Sequence, residues 1–168
     1  MVIDNLSLRQ LLGRFPTGVT VVTAPTEKDR PAAATANAFA AVSLTPPMVL
    51  VCLGQGSRTQ IAIRRSSQFA IHFLTDSQER VARTLATPGA NKATAVAWNR
   101  SPRGNYLLPR YLALLECTLA CEYAGGDHSI FVGHVVAIDS VEEEDTPLLY
   151  YSGRMGRLSP CLADVDPL

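Results

Sequence analysis

The chain has 168 residues, 47% of them hydrophobic and 18% charged, which is the composition of one soluble globular domain with a core of its own rather than of a disordered chain. Fifteen Lys and Arg balance fifteen Asp and Glu, so no global field favours nucleic acid or an anionic membrane, although a local basic pocket for a phosphate stays open. No apolar run is long enough to span a bilayer, and Met1–Gln10 lacks the apolar stretch of a signal peptide, so the expected compartment is the cytoplasm.

The elements follow in chain order. Leu8, Leu11, Leu12 and Phe15 recur at helical spacing over Leu6–Phe15, and Pro16 forces an exit. Gly18–Ala24 is β-branched and reads as a strand. Thr26–Pro31 is a charged turn between two strands. Ala32–Ala41 is rich in small residues and fits either a strand or an extended loop. Pro46-Pro47 excludes helix and leads into Met48–Leu53, a short apolar run typical of a buried strand. Ser57–Arg65 reads as a helix with Ser57 near its cap, and Gln68–Leu74 alternates as a strand. Ser77–Leu85 is helical in spacing, while Thr87–Arg103 is less regular, with Trp98 inside an alanine-rich patch. Leu112–Tyr123 and Ser129–Glu142 are the longest strand candidates, joined at Gly125-Gly126; Pro147–Tyr151 is a last apolar piece and the tail Pro160–Leu168 carries little pattern. Many strands with few short helices predict a mainly β fold, a β-barrel or sandwich with peripheral helices. The long antiparallel-looking pair argues against a doubly wound sheet.

The chemistry-bearing residues narrow the field further. A dinucleotide fingerprint, a Walker A sequence and a nucleophile elbow are all missing from the sequence. Cys52, Cys117, Cys121 and Cys161 form no CxxC pair and no zinc spacing. Cys117 and Cys121 would share a strand face, as a redox pair or, more simply, as small buried hydrophobes. His72 and His134 fall inside strand patterns and suit structural imidazoles. Thr35 and Asn37 are polar groups in a small-residue stretch, which fits either an ordinary edge strand or a backbone open to a flat ligand. Ser57-Arg58-Thr59 sets two hydroxyls and a guanidinium at a helix start, suited to a phosphate or simply to a capped, solvated helix end. Gly125-Gly126-Asp127-His128 puts a histidine at a tight turn, aimed at a surface.

Taken in order, several short motifs resemble the short-chain flavin reductase family, the reductase components of two-component flavin monooxygenases. They are Phe15-Pro16-Thr17-Gly18-Val19-Thr20, Thr35-Ala36-Asn37-Ala38-Phe39, Val42-Ser43-Leu44-Thr45-Pro46-Pro47, Ser57-Arg58-Thr59, Leu115-Glu116-Cys117, Gly126-Asp127-His128, Gly133-His134-Val135 and Pro147-Leu148-Leu149-Tyr150-Tyr151. The resemblance runs from about residue 11 to 158 of one domain that occupies 1–168. It implies an FMN-binding split barrel, an antiparallel Greek-key barrel paired into a homodimer with flavin near the subunit boundary. It also implies NAD(P)H-dependent reduction of FMN or FAD, with NADH or NADPH as hydride donor and a flavin-dependent oxygenase served by diffusing reduced flavin. By position, Thr35, Ala36, Asn37 and Ala38 would line the isoalloxazine ring and ribityl chain, and Cys52 and Leu53 would present backbone to the ring. Ser57, Arg58 and Thr59, together with Lys92, would hold the flavin phosphate. His128 would face the nicotinamide, with Arg154 as a neighbour. No metal is expected.

The chain departs from the family pattern in three places. Ala38 stands where serine is frequent, Ala33 where glycine is common, and Met155 where an aromatic residue would form part of a lid over the nicotinamide. Two other readings keep the fold: a non-catalytic flavin-binding or storage protein, and a split-barrel oxidase related to pyridoxamine phosphate oxidases. The oxidase would need basic residues gathered for a second phosphate, and the sequence shows no such cluster.

Overall fold

The computed structural model describes residues 3–89, 92–140 and 145–158. The strands are β1 (Thr17–Gly18), β2 (Thr20–Ala24), β3 (Ala32–Ala36), β4 (Phe39–Leu44), β5 (Pro47–Gly54), β6 (Gln68–Phe73), β7 (Asn99–Arg100), β8 (Tyr106–Leu107), β9 (Ala113–Gly125), β10 (His128–Ser140), β11 (Leu149–Tyr151) and β12 (Arg154–Gly156). Three helices, α1 (Asn5–Leu12), α2 (Arg58–Ser66) and α3 (Glu79–Ala86), lie among them, with 3-10 turns at Asp76–Gln78 and Lys92–Ala95. The expected mainly β fold with peripheral helices is what the chain forms, and every strand pairing is antiparallel.

Seven strands make the main sheet, in the order β3-β2-β6-β9-β10-β5-β4. Its two edges, β3 and β4, are consecutive in the chain and joined only by Asn37 and Ala38. A two-residue link cannot span a flat seven-stranded sheet, whose neighbouring strands are about 4.8 Å apart, so the sheet must curl until its edges meet. The stretch 32–41, readable from sequence as strand or loop, is therefore two strands broken at the point where the barrel turns its corner. Twelve-residue β9–β10 pairing forms the longest hairpin, with irregularities at Val132/Gly133 and Val135/Ala137 that bend it. Val141 and Glu142, at the predicted end of β10, lie outside the described residues, as do Cys161 and the tail.

The remaining differences from the predicted elements are local. The helix predicted to reach Phe15 ends at Leu12, with Gly13 as its C-cap. Thr17 and Gly18 leave the main sheet to pair with β11, which in turn pairs with β12, a strand with no sequence signal of its own. The irregular stretch 87–103 contributes Lys92–Ala95 and β7, and Trp98 donates its indole N–H to the Ala93 carbonyl at 2.8 Å.

β2 is the structural spine. All five of its residues are buried, because it is covered on both faces. Val22 points into a cluster with Val51, Ile63, Phe69, Ile71 and Phe131, while Val21 joins Leu74, Ala82, Leu85 and Leu108 beneath α3. Its two threonines are not left unsatisfied: Thr20 Oγ1 donates to the Ala36 carbonyl and Thr23 Oγ1 to the Tyr106 carbonyl, each at 2.7 Å. Cys117 is buried in the first cluster, and burial pushes its thiol up to about 12, which makes it a core residue rather than half of a redox pair.

Two core positions generate predictions. A Cβ on Gly133 would stand 2.5 Å from Phe69 Cζ and 2.9 Å from Cys117 Cβ, both in the buried cluster. Gly133→Ala is expected to destabilise the fold by about 1–3 kcal/mol, read as a lowered urea midpoint. His72 is fully buried, with Nδ1–H donating to the Val21 carbonyl at 3.0 Å and Nε2 accepting from Leu108 N–H at 3.2 Å. A second ring proton would face a donor, and burial pulls the imidazole from 6.5 down to about 4. The unfolded chain then takes up that proton first on acidification. The neutral ring's contribution, about 3 kcal/mol, is complete above the unfolded value near 6.5 and lost as pH falls toward 4. Urea titrations between pH 7 and 5 should show stability falling, with an uptake of up to one proton on unfolding; a flat profile would contradict the buried neutral ring.

Candidate functional site

The site is built on the end of β5 and the connection into α2. Ser57 caps α2 as the sequence predicts, its Oγ accepting from Gln60 N–H at 3.2 Å. The cap is held in place from below. Gln60, itself buried, donates through Nε2 to the Leu53 carbonyl at 2.9 Å, and Ser57 N–H donates to the Gly54 carbonyl at 3.2 Å. Gly56 makes the turn at φ 74°, a left-handed conformation that glycine adopts without strain. Thr59 is buried behind the helix start, while Arg58 faces a groove beside it. The start of this helix, with the positive end of its dipole, is an anion-favouring end.

Lys92 comes to the same groove from the far side. Its Nζ donates to the Leu85 carbonyl at 2.6 Å, and its pKa is lowered by burial first and by the charge of Arg58 second. A half-buried ammonium that is bonded to a carbonyl and sits beside a guanidinium is an arrangement that a bound anion relieves.

The opposite side of β5 holds the other expected residues. Cys52 N–H donates to the Ala38 carbonyl at 3.0 Å, which seats the β3–β4 link against β5. Asn37 is exposed there and also lines an apolar cleft of about 270 Å³ with Phe15, Phe39 and Phe73. Thr35 turns its hydroxyl the other way, donating to the Ala82 carbonyl of α3 at 2.7 Å, so only its backbone is available to the site. Ala36 receives the Thr20 hydroxyl on its carbonyl. Leu53 is buried and contributes backbone alone.

His128 starts β10 opposite Gly54 of β5, where a Cβ would lie 3.8 Å from His128 Nε2. The imidazole overhangs the glycine and stays about half exposed, at 46%. Its Nδ1 is 2.8 Å from Asp127 Oδ1, a bond that holds the Asp127 carboxyl below its usual range. An ionised carboxylate only accepts, so Nδ1 carries a proton, and in the neutral ring this leaves Nε2 as the acceptor. Gln55 bolts this turn to the α2 connection, N–H to the Asp127 carbonyl at 2.9 Å and Nε2 to the Gly126 carbonyl at 2.7 Å.

The fold thus brings together Asn37, Ala38, Cys52, Leu53, Ser57, Arg58, Thr59, Lys92 and His128 around one strand end. It does not bring Arg154 there by any contact among the described residues. Arg154 is exposed on β12, paired with Tyr151 in the separate three-stranded sheet. Met155 is half-buried against the cluster beneath α3, and Ala33 is buried in that cluster at the groove floor. Gln55 and Gln60 carry no signal in the sequence, because a glutamine whose amide ties one element to another has no pattern of its own.

One sequence expectation is corrected outright. The groove beside α2, about 600 Å³ in volume, is lined among the described residues by Lys28, Arg30, Arg58, Arg65 and Lys92 against the single carboxylate of Glu27. These five cations come from three segments distant in sequence, which is why no basic cluster is visible in the linear chain.

Residues 12–159 match the family model described as a flavin reductase like domain. The chain is 40% identical over 158 residues to the reductase component of 4-nitrophenol 4-monooxygenase/4-nitrocatechol 2-monooxygenase from Rhodococcus opacus, covering 94% of this chain and 83% of that one. It is 37% identical to an FMN reductase (NADH) of Agrobacterium fabrum, covering 93% of this chain and 87% of that one. Among solved structures it superimposes with a TM-score of 0.87 and 35% identity on the NADH:FAD oxidoreductase of Streptomyces globisporus, solved with NAD and FAD fragments, over 99% of both chains. With nearly the whole described barrel inside the match, the chain belongs to the flavin reductase like domain family.

Proposed function

We propose that this protein is an NADH-dependent flavin reductase that passes a hydride from the nicotinamide to FMN or FAD and supplies reduced flavin to a partner monooxygenase. The observation that carries the reading is the continuity of the β5 end. Within eight residues, Cys52 to Thr59, the chain passes from the Cys52 backbone bonded to the Ala38 carbonyl, under His128 at Gly54, to a capped helix start beside Arg58 and Lys92.

The flavin, when bound, supplies the two-electron acceptor, and NADH supplies the hydride; the protein's residues position the pair. Ser57, the α2 N–H groups, Arg58 and Lys92 hold the phosphate and so fix where the ring falls. Asn37 offers its side-chain amide, and the backbone of Thr35, Ala36, Ala38, Cys52 and Leu53 would line the ring as a flat, small-residue wall, with the cleft of Phe39 and Phe73 as its apolar side. His128 offers its Nε2 lone pair to the carboxamide N–H of the nicotinamide, which orients that ring over the acceptor. No acid–base dyad is needed, since hydride transfer between the two rings requires alignment and exclusion of water more than proton transfer by a side chain.

The working unit in this reading is a homodimer in the cytoplasm. Support for the dimer comes from the apolar surface left open on one protomer: α1 buries none of its residues, and Leu6, Leu11, Leu12, Phe15, Leu44 and Ile138 are all exposed. No helix among the described residues is long and apolar enough to cross a membrane. Residues 1–168 act as one domain in this reading, with its core at about 11–158.

Under anaerobic conditions, NADH with catalytic amounts of the protein should bleach the flavin absorbance band over many turnovers. Flavin that binds and stays oxidised with both NADH and NADPH would leave only a flavin-binding module. His128→Ala is expected to raise the nicotinamide KM about tenfold while changing flavin affinity less than twofold, as loss of one hydrogen bond to the donor predicts. Unchanged nicotinamide kinetics would remove His128 from that face.

A further inference from the structure

The groove beside α2 is longer than a mononucleotide flavin requires. Its helical wall is the face of Arg58, Ile61, Ala62 and Arg65, residues spaced i, i+3, i+4 and i+7. From Arg58 to Arg65 that face runs roughly 10 Å along the helix axis, away from the phosphate-favouring end. FMN ends in its phosphate, so if the phosphate sits at the α2 cap, nothing of FMN reaches Arg65. The residues that surround the ring side, Asn37, Ala38, Cys52, Leu53 and His128, take no part in lining this groove.

Building on the flavin reductase reading, we infer that the groove selects FAD over FMN by binding the adenylate half of the dinucleotide. Charge is the first support. Five cations against one carboxylate among the described lining residues, in a chain whose overall formal charge is zero, exceed what one phosphate calls for and suit a pyrophosphate. Shape is the second. Pro31, Ala33, Ile61 and Ala62 give a small-residue apolar floor on which a base can lie.

The opposite wall is built in advance. Thr26 Oγ1 donates to the Arg30 carbonyl at 2.7 Å and receives Lys28 N–H at 3.2 Å, which folds the β2–β3 turn on itself. Tyr106 Oη donates to the Lys28 carbonyl at 3.4 Å and to Asp29 Oδ1 at 3.2 Å. Asp29 is thereby tied to Tyr106 and takes no place in the groove lining, while Lys28 and Arg30 do. The one acid in the lining, Glu27, stands at the far end beside Arg65, with Nη1 at 3.5 Å from its carboxylate. A carboxylate there repels a phosphate and accepts from ribose hydroxyls or an exocyclic amine, the groups that a bound adenosine would bring.

Calorimetric titration of the oxidised flavins, with no nicotinamide present, tests the inference apart from turnover. FAD should bind about tenfold more tightly than FMN, the effect of one further charge-assisted phosphate contact. The exposed pair Lys28→Ala with Arg65→Ala should erase most of that difference by weakening FAD, with FMN shifted less than twofold; the surface pair lost with Arg65 costs the fold little. AMP should compete with FAD and leave FMN binding unchanged. Equal affinity of the native protein for FAD and FMN, or an equal loss for both in the double variant, overturns the selection while leaving the reductase reading intact. Failure of NADH to reduce either flavin overturns the reductase reading and leaves the calorimetric ratio to stand or fall by itself.

Discussion

The two-residue link between β3 and β4 is the constraint on which the rest of the molecule depends. Joining the two edges of a seven-stranded sheet through Asn37 and Ala38 forces the sheet round on itself. That curl buries the cluster around Phe69 and Phe131 on the inside and leaves β2 to be covered from outside by α3. It also delivers Ala38 to the end of β5, where its carbonyl takes the Cys52 N–H. The functional surface is thus a by-product of closure: the place where the barrel seam meets the β5–α2 turn.

Much of this was legible in the sequence wherever a local pattern and a local structure coincide. β2 and β6 declare themselves by β-branched and alternating residues, α2 by its serine cap, and the β9–β10 hairpin by its glycines. The phosphate-favouring helix start and the turn histidine were found for the same reason, since each lies within a few consecutive residues. What was not legible depends on partners far along the chain. Thr35 reads as a site residue, yet its hydroxyl is taken by Ala82, 47 positions away. Arg154 reads as a neighbour of His128, yet β1 and β11 draw its strand into a separate sheet.

The charge distribution gives the same lesson in electrostatic form. Equal numbers of acids and bases conceal a surface in which the cations are sorted. The turn 26–31 looks like an ordinary solvated connection, and only the packing of α2 across β2 and β3 turns it into one wall of a basic groove. Lys92 arrives there from a 3-10 turn with no sequence signature, held by the last turn of α3 through the Leu85 carbonyl.

Hairpin tips are ordinarily where a protein accepts insertions, because their backbone serves nothing else. The tip at Gly126-Asp127 is an exception, since both of its carbonyls are claimed by Gln55, and His128 must stand opposite Gly54. One added residue would shift the strand by half a pleat and turn the imidazole to the other face of the sheet. The tip therefore behaves as a keystone more than as a loop, and a lineage free to elaborate this barrel would lengthen it elsewhere.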